Sequence, residues 1–192
     1  VEIMRWAFDF MQQPEGNSVY LRLSTRALEQ PDRTLSAAQI ADVIAGAYWQ
    51  VEPAPGAEMA VVYTGAIAAE AMEAFEQLRE DIPGIGLLAV TSPDRLHLDW
   101  SAALKARAKG RREPSHIEKL LASLGAGASL VTVIDGPPAT LSWLGGVKGS
   151  RVSALGMDHF GQSGDLPDLY RTYGLDVEAI LDAAAASLDY GS

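Results

Sequence analysis

Asp158, His159 and Gln162 stand where a β-rich run, Arg151 to Met157, gives way to the glycine turn of His159-Phe-Gly-Gln-Ser-Gly164. Open α/β sheets place ligand-contacting groups at such strand ends. An imidazole flanked by a carboxylate and an amide can move a proton or hold a polar ligand. The plainer reading makes His159 a turn residue bonded to neighbouring backbone or to another subunit. Thr64-Gly-Ala-Ile-Ala68 sets a glycine turn before a helix start, where free N–H groups suit an anion. It lacks the further glycines of a dinucleotide loop, and its plainer reading is a tight turn. Gly125-Ala-Gly-Ala128 leaves a helix and enters a strand, the reverse of phosphate-loop order. His97 and Asp99 have no third metal ligand beside them, and no Gly-x-Ser-x-Gly elbow supports hydrolase chemistry. Lys105, Arg107, Lys109, Arg111 and Arg112 concentrate positive charge in one short run. That run reads as a dock for an acidic patch, or as a solvated helix end whose cations suit the dipole.

The elements that must position these residues follow from periodicity. Ile3, Ala7, Phe10 and Met11 predict a helix over 2–12, and Val19 to Ser24 alternates like a strand. Ala27 to Thr34, polar and holding Pro31, reads as a linker. Ser36 is placed to cap a helix carrying Ile40, Val43 and Ile44. Strands are predicted at Ala47–Val51, Met59–Tyr63, Gly86–Thr91, Ser129–Ile134 and Arg151–Met157. Between them, Ile67, Ala71, Phe75 and Leu78 form one helical stripe opposite Glu70, Glu73, Glu76 and Glu80. Ser92 opens a helix with Leu96, Trp100, Ala103 and Leu104. Ser115 caps another with Ile117, Leu120, Leu121 and Leu124, ended by Gly125-Ala-Gly127. Asp165 is placed to cap a short helix stopped by Gly174, and Asp176 the last, striped by Val177, Ile180, Leu181, Ala184 and Leu188. Trp143, Leu144, Tyr170 and Tyr173 are candidate interface anchors, with core packing the plainer reading for Trp143 and Tyr170. Strands alternating with helices imply a three-layer α/β/α domain around a mostly parallel, five-stranded sheet.

The formal net charge of −10 argues against nucleic acid and against an anionic membrane. No apolar run is long enough to cross a bilayer, and the N-terminus lacks the order of a signal peptide. The chain has no cysteine, which excludes disulfides, thiolate catalysis and Cys-based zinc sites, and fits a cytoplasmic location. It opens on Val1, not methionine, and is expected to be a fragment or processed form.

Eight peptides in order carry a resemblance that spans essentially the whole chain. They are Val19-Tyr-Leu-Arg-Leu-Ser-Thr-Arg26, Gly46-Ala-Tyr-Trp49 with Tyr63-Thr-Gly-Ala-Ile-Ala68, Ser115-His-Ile-Glu-Lys-Leu-Leu121, Leu130-Val-Thr-Val-Ile-Asp-Gly136, Pro138-Ala-Thr-Leu-Ser-Trp-Leu-Gly145, His159-Phe-Gly-Gln-Ser-Gly164 and Asp168-Leu-Tyr170. Together they resemble the C-terminal domain of the transketolase family of thiamine-diphosphate enzymes. The wording is closest to the homodimeric first component of pyruvate-type 2-oxo acid dehydrogenase complexes. The resemblance divides the chain into the end of a pyrimidine-binding domain and linker (1–34), a connecting helix and strand (35–55), and the C-terminal domain (56–192).

By that resemblance the parent enzyme would use thiamine diphosphate and magnesium, decarboxylate a 2-oxo acid and acylate a lipoyl group. Its partners would be a second copy and a lipoyl-bearing acyltransferase. This fragment lacks the family's Gly-Asp-Gly…Asn signature, and is expected to bind neither cofactor nor metal and to have no catalytic residue of its own. The resemblance also singles out Arg22 and Arg26, because a nearby arginine binds the substrate phosphate in sugar-using transketolases, a task suited to a guanidinium fork. The plainer reading pairs these arginines with Glu29 or Asp32 at the surface. Arg22, Arg26, Asp158, His159 and Gln162 are thus the candidate substrate-binding residues. Two departures stand out: the family's histidines are replaced by Pro137 and by Ser150. A transketolase acting on sugar phosphates and a free-standing interaction module are the alternative readings.

Overall fold

A computed structural model describes residues 1–28, 34–159 and 163–189. The core is one five-stranded sheet in the order β1-β3-β2-β4-β5. Its strands are β1 (Ala47–Val51), β2 (Ala57–Thr64), β3 (Gly86–Val90), β4 (Leu124–Ile134) and β5 (Arg151–Leu155). β2 pairs in parallel with β3 and β4, β4 pairs in parallel with β5, and only β1, at the edge, runs antiparallel to its neighbour β3. The expected three-layer α/β/α class is therefore the observed one. β1 belongs to the same sheet, so the sheet begins at residue 47.

The central strands read as unbroken apolar runs because both faces are covered. On β2, Met59, Val61 and Tyr63 point into one core, with Phe75 and Leu78 of α3 (Ala68–Asp81) and Ile180 of α9 (Val177–Asp189). Ala60 and Val62 point into the other. That second core also holds Leu96 of α4 (Pro93–Arg107), Ile117 of α5 (His116–Leu120), and Leu141 and Leu144 around α6 (Ala139–Ser142) and α7 (Gly145–Lys148). On β4, Val131 and Val133 fill the first core, Leu130 and Ile134 the second. Each fully buried large apolar side chain contributes roughly 1.5–3 kcal/mol over exposure. The Trp49 indole donates to Leu120 O at 3.0 Å, tying the edge strand to the second layer.

Helix starts follow the capping chemistry at Ser36 and Ser115. Both serines accept from the backbone three residues on, in boxes closed by Gln39 and Glu118. Asp176 caps α9 through Ala179 N–H at 3.0 Å. Asp165 sits at the N-cap of α8 (Leu166–Thr172) but its side chain makes no capping bond, and neither does that of Ser92 before α4. Two further expectations fail on tertiary pairing. Val19–Ser24 is not a strand, since no described residue offers it a ladder, and Tyr20 and Leu23 are exposed. Gly125–Gly127 does not terminate a helix. It lies within β4, where the partner jumps from Leu124 to Ser129 while β2 advances only from Ala57 to Met59. Gly127, at φ +74°, supplies the left-handed residue this bulge needs. Leu188, placed on the apolar stripe of α9, is exposed instead. Leu144 and Tyr170 are buried within the chain and so unavailable as interface anchors, while Trp143 and Tyr173 are only partly buried. The first helix, α1 (Glu2–Met11), packs on α2 (Ala37–Ala45), and its Trp6 ring lies 4.1 Å beneath the guanidinium of Arg95. No helix among the described residues is long and apolar enough to cross a membrane.

Glu118 yields a pH prediction. Its partial burial opposes ionisation, but the Ser115 N–H, the Arg107 guanidinium at 2.6 Å and the Ser115 hydroxyl outweigh it and hold the carboxyl below its ordinary range. A depressed folded pKa gives stability that is complete above the unfolded value and lost as pH falls through the folded one. Glu118→Gln is expected to cost about 1 kcal/mol at neutral pH. The gap to the parent chain should narrow as pH falls from neutral through the ordinary glutamate range and vanish once the folded carboxyl is protonated. Urea unfolding across that range checks this; a gap of constant size would refute it.

Candidate functional site

The carboxyl ends of the parallel strands form one crest. β2 and β4 are neighbours there, but their crossovers diverge, β2 leading to β3 on one side and β4 to β5 on the other. Such a switch point opens the crevice in which open α/β sheets take ligands. Here the chain's own segment 22–26 lies across it. Arg22 donates to Asp135 O, just beyond β4, at 3.3 Å. Arg26 donates to Ala66 O, just beyond β2, at 3.0 Å. Its two terminal nitrogens also grip both oxygens of Glu70, on α3, at 2.9 and 2.7 Å.

Among the described residues the carboxylate partner of Arg26 is Glu70; Glu29, Asp32 and Gln162 lie outside the described residues. The fork-on-fork geometry is that of a strong charge-assisted pair. Its partners are only 24% and 17% exposed at the side chain. The Glu70 bond raises the affinity of Arg26 for its proton further. The guanidinium also sits 5.5 Å from the Tyr170 ring centroid, a cation–π contact. The Tyr170 hydroxyl in turn donates to Asp135 Oδ2 at 3.3 Å. Burial and the Asp135 carboxylate push that phenol up to about 12, so it holds its proton across the physiological range.

Asp158 and His159 follow β5 and are exposed. Met157 N–H donates to Gly136 O at 2.8 Å, and a Cβ on Gly136 would lie 3.7 Å from an Arg22 nitrogen. Arg22 and the residues leading to His159 thus converge on the turn after β4. Arg26 looks the other way, toward α3 and α8. Beside it Glu70, Glu73, Pro167, Tyr170 and Glu178 line an open cleft of ≈ 280 Å³. With Arg26 neutralised by Glu70, the remaining charged lining is mostly carboxylate, which disfavours an anionic ligand.

Thr64 donates to Val90 O at 2.8 Å, so the Thr64-Gly65 turn ties β2 to β3. His97 is exposed, its ring centroid 5.0 Å from that of Trp143 in an edge-to-face contact, and Asp99 accepts from His116 N–H at 2.6 Å. Among the described residues no three acidic or imidazole side chains come together to hold a metal ion. The sequence also lacks the Gly-Asp-Gly…Asn signature that would hold a magnesium–diphosphate group, and none of that cofactor's chemistry is assigned to this chain.

Sequence patterns miss Glu70, Asp135 and His116. Glu70 reads as one more solvent-facing glutamate of α3, and its only local signal is its position in the first turn. His116 joins layers: its Nε2 lies 2.8 Å from Ala47 O and, because a carbonyl only accepts, carries the proton.

No family model matches the sequence, and no curated protein does. Solved structures do. Transketolase from Leishmania mexicana aligns with TM-score 0.57 and 19% identity, over 79% of this chain and 19% of its own. Transketolase from Campylobacter jejuni aligns with TM-score 0.55 and 15% identity, over 84% and 20%. A split-gene transketolase, described as an inactive β4 tetramer, aligns with TM-score 0.55 and 16% identity, over 85% and 46%. The chain spans about a fifth of the length of the two full transketolases. At identities this low the likeness concerns architecture: the chain has the α/β fold of transketolase C-terminal domains.

Proposed function

We propose that this chain is the C-terminal domain of a thiamine-diphosphate-dependent 2-oxo acid dehydrogenase component of pyruvate type. Its role is to support a homodimer and to shape the mouth of an active site built mainly by other sequence. The parent enzyme would decarboxylate a 2-oxo acid and pass the acyl group to a lipoyl-bearing partner, in the cytoplasm. The carrying observation is the fold likeness: it takes in most of this chain but only about a fifth of the transketolases themselves. The ligand crevice fits a shaping role, since the chain's own arginines occupy it.

The choice of substrate is supported by Arg26. A guanidinium held on two nitrogens by Glu70 is not available to a sugar phosphate, and a 2-oxo acid needs no phosphate anchor. The sugar-phosphate alternative would rest on Arg22, which stays exposed with one backbone acceptor. The full-length protein is expected to reduce an artificial electron acceptor with pyruvate and to leave a ketose phosphate unchanged. Two-carbon transfer from the ketose phosphate, without pyruvate oxidation, would replace this reading by the transketolase one. The isolated chain is expected to show no heat of thiamine-diphosphate binding, and micromolar affinity would contradict the scaffold role.

A further inference from the structure

The geometry points to the C-terminal end of α4 and the turn after it as a docking surface for an acidic segment of a partner protein. Lys105, Lys109, Arg111 and Arg112 are exposed, and among the described residues none of them has an ion-pair partner; Arg107 alone does, with Glu118. The nearby carboxylates are engaged or few. Glu118 is held by Arg107 and Ser115, Asp99 by the His116 N–H, and only Glu113 stands in the run itself. The chain's acidic ridge, including Glu73, Glu76, Glu80 and Asp182, lies on α3 and α9. Those helices pack on the opposite core, so the sheet separates the ridge from the cations. A molecule of net charge −10 thus concentrates cations without ion-pair partners at this corner.

The same corner carries apolar anchors. Leu98 is 67% exposed and Leu104 41%. Leu98 and Lys105 are seven residues apart, so they share one face of α4 about 10 Å from each other. Helix ends solvated for their own sake need no exposed leucine beside the charge. An acidic segment with an apolar side chain would bury Leu98 and neutralise the lysines together, gaining contact area from the first and fast, steered encounter from the second. Nucleic acid fits less well, because the remaining surface would repel its phosphates.

The test uses the whole chain and a fluorescein-labelled synthetic helix with glutamates on one face and leucines on the other. Its glutamine counterpart and a single-stranded DNA oligomer are the controls. Saturable binding of the acidic helix is expected, weakening steeply as ionic strength rises from about 0.01 to about 0.15 M. Combined Lys105→Gln, Lys109→Gln, Arg111→Gln and Arg112→Gln should weaken it about tenfold or more. Leu98→Ser should weaken it about fivefold. Circular dichroism of both variants must match the parent chain; if the combined variant is unfolded, Leu98→Ser and the salt dependence decide. Equal binding of the glutamine helix, tighter binding of the DNA, or salt-sensitive self-association that blocks the acidic helix would each overturn the proposal.

Discussion

Gly156→Ala is expected to lower the stability of this chain by about 3 kcal/mol, a loss of roughly 9 °C in Tm for a domain of this size. Gly156 follows β5 at the crest. A Cβ there would lie 2.6 Å from Gly136 O, 2.7 Å from Pro138 N and 2.8 Å from Pro138 Cδ. These are backbone and ring atoms of one turn, in which Pro137 and Pro138 have fixed φ, so no side chain can swing aside to relieve the contact. Either the turn moves or β5 does. Both routes strain the 2.8 Å bond from Met157 N–H to Gly136 O and the seat of Arg22 against Gly136. Gly149→Asn is the control: its Cβ would meet nothing within 4 Å, and asparagine tolerates the left-handed φ of +72° found there. Urea unfolding of both variants checks the contrast. A loss for Gly156→Ala within about 0.5 kcal/mol of the control would show that the crest yields more readily than its atoms suggest.

Arg26→Met should cost about 2 kcal/mol, because it leaves the Glu70 carboxylate 17% exposed and unpaired. A deeply buried pair would cost more; the exposure of this one admits some water. The substitution also removes the donor to Ala66 O and the cation over Tyr170. Arg26→Lys keeps the charge but not the fork, and is expected to lose about half as much. In a double-mutant cycle with Glu70→Gln the coupling should exceed about 1 kcal/mol. Two readouts separate a latch from a mere surface pair. Limited proteolysis should cut segment 18–28 faster once the latch is gone. The Tyr170 phenol should also titrate higher, since Arg26 now pulls its pKa down against the larger effects of burial and Asp135. Additive single losses with unchanged proteolysis would rule out the latch.

The site was partly legible in the sequence. The strand ends that form the crest followed from hydrophobic runs and glycine turns, so His159 and Asp158 were placed correctly after β5. Arg22 and Arg26 were legible through the family resemblance. Their partners were not, since Ala66, Glu70 and Asp135 are distant in sequence and nothing local marks them. The strand expected at Val19–Ser24 shows the same limit. Alternation reports a segment able to form a ladder, and only a neighbouring backbone edge makes it one.

Sequence alone determined the class of this protein and the periods of its elements. Apolar runs at β2, β3 and β4 required a sheet covered on both faces, and the serine boxes required helix starts at Ser36 and Ser115. Tertiary structure alone decided that β1 joins this sheet in the antiparallel sense, that Gly125–Gly127 bulges within a strand, and that segment 22–26 closes the crevice at the switch point. The division has one physical cause. Burial periodicity and capping are short-range and written in neighbouring residues, whereas pairing partners, close backbone approaches and ion-pair choice depend on which distant surfaces the folded chain brings together.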